Sequence, residues 1–282
     1  MATTPATLES SRAALGASAL LVRPSRAHIG RVLAGAAAMY VVLQGGLTVL
    51  SGRLDMTGSA LAVTAAMLAL VVVIERFGFR RGVRAGFVAL GFGRPTVGSI
   101  AAAGLISIGL LTFFPLYAAV TGTAFVLRSD WLWILAGAIA LNGIAEETLF
   151  RGYVFGHLRQ AGHSFRRAGL ISLAIFGAIH LYLFIGNPPV VALLATLLAI
   201  AAAFPFAFLY ERAGNVIWAG VILHVSSHAF RLVEIPEGQV LTVGSAWILV
   251  QFAGVFLVYA FGKTLLKRRT DRADRSMAPR SA

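Results

Sequence analysis

Long apolar runs fill most of this chain, and short polar segments punctuate them. Eight stretches read as membrane helices: about 32–52, 56–74, 97–118, 131–157, 168–186, 189–210, 215–230 and 240–262. A spanning helix needs roughly 20 largely apolar residues. The fourth stretch is long and carries Glu146, Glu147 and Arg151, whereas the seventh is short and holds His224 and His228. Trp131 and Trp133 open the fourth, where an aromatic belt sits at the membrane interface. Pro188 and Pro189 make a tight turn between the fifth and sixth. The pattern predicts an all-α polytopic membrane protein, a bundle of about eight transmembrane helices. The apolar stretch at 13–22 is too short to span and no small-residue cleavage site follows it. It reads as tail or interfacial segment rather than signal peptide.

Composition sharpens this. Hydrophobic residues make up 58% of the 282 and charged residues only 12%, against about a quarter charged in a soluble domain. The net charge of +13 raises a nucleic-acid partner, but no basic groove with interleaved aromatics is present. The basic residues instead cluster between apolar runs, as cytoplasmic loops do. With the N-terminus inside, twenty of the 24 Lys and Arg fall in the tails and inner loops. Three fall outside (Arg53, Arg128 and Arg231), and Arg151 lies within a span. Both termini are therefore expected in the cytoplasm. The domain expectation is a cytoplasmic tail over 1–30, a transmembrane bundle over 31–262 and a basic cytoplasmic tail over 263–282. The absence of cysteine excludes disulfides and thiolate metal sites. Abundant Ala, and Arg far above Lys, fit a GC-rich bacterial genome and a multi-pass protein of the cytoplasmic membrane.

Ionisable groups in hydrocarbon cost about 2.5–3.5 kcal/mol each at a helix centre and persist where they act. Three spans carry them: Glu146, Glu147 and Arg151, with the polar Asn142, on the fourth, His180 on the fifth, His224 and His228 on the seventh. At 1.5 Å per residue, Glu146 and His180 lie about 20 Å, and His224 about 15 Å, from the inner ends of their helices. The three heights agree to about one turn. Glu147 and Arg151 are four apart with the acid first, the better order for a helical ion pair. Glu146 is turned about 100° from Glu147 and shares a face with Asn142. Two adjacent carboxylates in different environments can divide into an ionised group and a tuned acid or base. His157 and His163 are expected to be solvated and ordinary. Tyr153, Tyr182, Ser226 and Ser227 either line a cavity or satisfy backbone groups.

These residues resemble a known family. The stretch "EETLFR" is similar to the EExxxR motif of the CAAX-protease and bacteriocin-processing family, also called the type II CAAX prenyl endopeptidase or Abi family. "FGAIH" matches its FxxxH motif, and "HVSSH" resembles its HxxxN motif. Their order and separation also fit, and "ALGFGRPT" looks like a Leu-Gly-basic-Pro segment upstream. The resemblance covers about 90–230. It implies an intramembrane glutamate protease without an obligatory metal or other cofactor, acting on a membrane-associated peptide or protein. Carried across, Glu146 and His180 activate a water, Glu147 and Arg151 orient and balance the site, and His224 stabilises the oxyanion. The third motif ends in His228 where the family has Asn.

That departure keeps alternatives open. Glu146, His180, His224 and His228 form a chemically credible zinc set. The leading reading is the endopeptidase; the alternative is a non-catalytic scaffold or immunity-type protein binding a peptide in the same cavity. A proton-coupled transporter is disfavoured, because no internal repeat is visible. Oligomeric state is not readable.

Overall fold

A computed structural model describes residues 26–265. Residues 1–25 and 266–282, which hold most of both expected tails and all of 13–22, lie outside the described residues. The described chain is almost entirely helical. Its elements are α1 (Arg26–Leu50), α2 (Met56–Gly78), α3 (Val83–Ala89), α4 (Val97–Thr121), β1 (Val126–Leu127), α5 (Trp131–Gln160), α6 (Phe165–Gly186), α7 (Pro189–Arg212), α8 (Trp218–Ser227), β2 (Val233–Glu234) and α9 (Val240–Leu265).

Seven of these helices are long and apolar enough to cross a membrane. Their apolar faces point outward as well as inward: Val97, Val120 and Ile185 are 88%, 84% and 90% exposed. Only lipid makes such a surface favourable for a folded chain, so this is a multi-pass membrane protein. Chain chemistry sets the helix ends. Asp55 caps α2 by accepting from Gly58 N at 2.8 Å, and Ser164 caps α6 from Arg167 N at 3.2 Å. Pro189 opens α7, where its missing N–H costs nothing.

The seventh expected span differs from expectation. Of 215–230, only the 10 residues of α8 are regular helix, followed by a 3-10 turn at Ala229–Leu232. Ten residues rise about 15 Å, half of the roughly 30 Å hydrocarbon core. The chain nevertheless passes from one end of the bundle to the other here. Before α8, Glu211 pairs with Arg159 at the C-terminal end of α5. After it, Leu232 O accepts from Arg128 N at 3.0 Å, and β2 pairs antiparallel with β1 just ahead of α5. α8 itself packs against α4 and α5, and the turn that follows it is tied back to the start of α5 through Arg128. Among the described residues, seven helices long enough to span and the shorter segment through α8 thus run between the two ends.

α5 is the central helix and the most enclosed of the seven. One apolar core joins it to α1, α2, α6 and α7, and a second joins α4, α7, α8 and α9. Close approach requires two glycines along it. A Cβ on Gly152 would stand 2.2 Å from the carbonyl oxygen of Leu90, and one on Gly143 would meet Val221 and Val225 of α8 at 2.9 Å. The segment after α3 is bound to the start of α8 as well: Ile217 N donates to Gly91 O at 3.0 Å and Trp218 Nε1 to Gly93 O at 2.8 Å. The upstream "ALGFGRPT" stretch is therefore a strap that seats α5 against α8.

Candidate active site

α5 widens into π-helical turns over Ile139–Ala145 and Thr148–Phe155, flanking Glu146 and Glu147. Such turns recur at functional sites because they re-aim side chains without breaking the helix. Glu147 and Arg151 form the predicted pair, with Nη1 of Arg151 3.0 Å from Oε1 of Glu147. Both are sealed off, at 1% and 3% exposure. The Arg151 guanidinium sits 4.8 Å from the ring centres of both Phe176 on α6 and Phe206 on α7. A desolvated cation gains from two aromatic faces, and this double stack fixes the fork toward Glu147.

Glu147 has a second partner. His224 Nδ1 donates to the same Oε1 at 2.9 Å, which orients the ring and leaves Nε2 facing Glu146, 3.8 Å from its Oε2. Gly220, one turn before His224, makes room for this: a Cβ there would come within 2.6 Å of Glu147 Oε2. Glu146 is held by Asn142 Nδ2, which donates to Oε1 at 2.8 Å. His180 Nδ1 donates to Phe176 O at 2.7 Å. In the neutral ring this puts the proton on Nδ1 and the lone pair on Nε2. His228 caps α8 and stacks on His224, with ring centres 5.4 Å apart.

These groups meet at a cavity of about 290 Å³. Asn142, Glu146, Arg151, His180, His224 and His228 line it, and Ala195, Leu198, Leu223, Trp247 and Val255 supply apolar wall. Glu147 alone of the six candidate residues lies off the wall, behind Arg151 and His224. Among the described residues no three His, Asp or Glu side chains are gathered closely enough to hold a metal ion.

Of the four residues left open, Tyr182 and Ser227 line the cavity. Ser226 Oγ bonds Ile222 O, and Ser227 Oγ also bonds His224 O. Tyr153 points away and donates to Arg31 O at 3.3 Å. The expectation for His157 and His163 is corrected: they are 0% and 3% exposed. His157 Nδ1 donates to Tyr153 O at 2.9 Å, while Nε2 lies 2.9 Å from Glu75 Oε1 and 3.2 Å from Arg81 Nη1. The charged residue at the end of α2 draws the ring inward, a partner that α5 alone does not reveal. Burial holds the His163 imidazole below its ordinary pKa, with Arg167 adding to the effect. Phe206 and Gly220 were not legible as site residues: one is a Phe among 19, the other a Gly in an apolar helix.

Neither the curated proteins nor the solved structures contain a match to this chain. Residues 128–230, which hold all six candidate residues, match the model of the family described as type II CAAX prenyl endopeptidase Rce1-like, so that stretch of the chain is similar to that family.

Proposed function

We propose that the chain is an intramembrane endopeptidase that hydrolyses a peptide bond of a membrane-associated protein or peptide in a bacterial cytoplasmic membrane. The observation that carries this reading is the convergence of Glu146, His180 and His224, from three helices, on one cavity wall. Water within reach of the Glu146 carboxylate and the His180 Nε2 lone pair gives up a proton as its oxygen attacks the peptide carbonyl. The carboxylate, acting as general base, then returns that proton to the leaving amine. When His224 Nε2 carries a proton it donates to the developing oxyanion, in a water-poor cavity where such donors gain strength. Glu147 holds the ring for this and Arg151 balances the second carboxylate. His228 flanks His224 where the family has Asn, and its ring N–H can add a second donor.

Glu146→Gln keeps the shape and removes the base. Cleavage should fall about 10²–10⁴-fold, with membrane insertion and detergent melting temperature retained. The readout is comparison of membrane-proteome peptides between cells carrying the intact protein and the variant, since the substrate is to be found in the same experiment. Identical peptide sets would overturn the reading. Hydrolysis is proposed as metal-independent, so cleavage should survive a strong chelator; complete loss rescued only by zinc would overturn that part. His228 favours one second reading, a non-catalytic peptide-binding protein. On that reading Glu146→Gln would preserve the cellular phenotype.

A further inference from the structure

The charges on the cavity wall are accounted for by local partners, with one exception. Glu146 is held by Asn142 and faces His224. Arg151 is held by Glu147, Phe176 and Phe206. Arg231 also lines the cavity, half-buried, and no carboxylate among the described residues pairs with it. The nearby acids are engaged or turned outward: Asp130 pairs with Arg128, and Glu234 is exposed.

Its position is built. Arg231 sits on the 3-10 turn that follows His228, with Arg231 N donating to His228 O at 3.0 Å. The next residue is tied to Arg128 N, and the pairing of Val126 with Glu234 and Leu127 with Val233 fixes the turn from beyond. Tyr182, on the facing end of α6, shares the wall. A guanidinium offers a planar donor fork suited to a carboxylate or a phosphate. A charge held half-buried without a counter-ion is costly unless a partner arrives. Arg231 shares its cavity with Glu146 and His180, which puts its guanidinium beside whatever peptide is held there for cleavage.

We propose that Arg231 is a specificity-determining residue, whose guanidinium receives a carboxylate of the bound peptide, from an acidic side chain or from the peptide's own C-terminus. This rests on the endopeptidase reading. It predicts that cut sites carry a carboxylate at a fixed distance from the broken bond.

The test uses the full chain, purified into nanodiscs, on a library of peptides from a chymotryptic digest of a bacterial proteome, with Glu146→Ala as background. The best-cut peptide is then synthesised as the acid and in two neutral forms, one with a C-terminal amide and one with Asn or Gln for each Asp or Glu. Which neutral form is cut poorly identifies the source of the carboxylate. The acid-to-neutral ratio of kcat/KM should fall roughly tenfold or more in Arg231→Gln, mainly through KM, and recover in part in Arg231→Lys. An unchanged ratio, or equal loss on acid and neutral peptides, would reduce Arg231 to a structural part of the cavity wall and overturn the proposal. So would a rate that follows the fraction of anionic phospholipid and ignores the peptide's carboxylates. If the wild type cuts nothing, the endopeptidase reading fails and takes this inference with it; cleavage without acid preference sinks this inference alone.

Discussion

Arg151 is the residue on which the second carboxylate depends. It lies at 3% exposure between two phenyl rings, and its Nη1 is the cation that meets Glu147. Removing one member of a buried pair leaves the other charge uncompensated, at a cost of about 3–5 kcal/mol. Arg151→Gln should therefore lower the melting temperature in detergent as well as cleavage. Lys in its place keeps the charge but loses the planar stack, and should recover less than half of the stability. If Arg151→Gln melts as the wild type does, the pair is not what holds Glu147. The pair itself was legible from a spacing of four on one helix. The ring of His224 on Glu147, and the Phe206 face over Arg151, were not, because each depends on how a different helix is rotated in the bundle. The burial of His157 escaped for the same reason: its partner Glu75 lies 82 positions earlier.

At the scale of elements, the site is a seam where α5 meets α8, and the strap through Leu90 and Gly91 sets its width. Leu90 is almost fully buried, and its carbonyl stands where a side chain on residue 152 would begin. Gly152→Ala must push either the strap or α5 aside. Overpacking of this kind costs about 1–3 kcal/mol, and more where backbone has to move. The expected outcome is a lower melting temperature together with weaker cleavage, since α5 also carries Glu146. A variant at Gly104 of α4, where a Cβ would meet nothing within 4 Å, should leave both close to wild type. Equal behaviour of the two variants would show that the strap does not position α5. Helix existence was legible from apolar runs alone, because bilayer thickness dictates their length. That the seventh stretch is short was legible too; that only ten of its residues are regular helix was not, because its ends are folded into turns by contacts with other segments, Gly91 before α8 and Arg128 after it.

For the whole molecule, the open question is which end of the bundle faces the cytoplasm. Contacts divide the chain cleanly between two ends. Arg81 donates to Gln160 at 2.7 Å and Arg159 pairs with Glu211 at one end, while Thr123 reaches Gln239 at 2.7 Å and Trp133 reaches Asp55 at the other. The first end holds the start of α1, near Arg31, and the loops rich in arginine. Positive charge is retained on the cytoplasmic side during insertion, so that end should be inside, and the end carrying Arg231 outside. The lack of any cysteine makes the test direct. A single cysteine in place of Arg166, exposed at the start of α6, should react with a membrane-impermeant maleimide only after cells are permeabilised. One in place of Glu237, exposed between β2 and α9, should react in intact cells. Labelling of both from outside would mean that α8 turns back within the membrane instead of completing a passage. Labelling in the reverse order would invert the protein, and a carboxylate reaching Arg231 would then arrive from the cytoplasm.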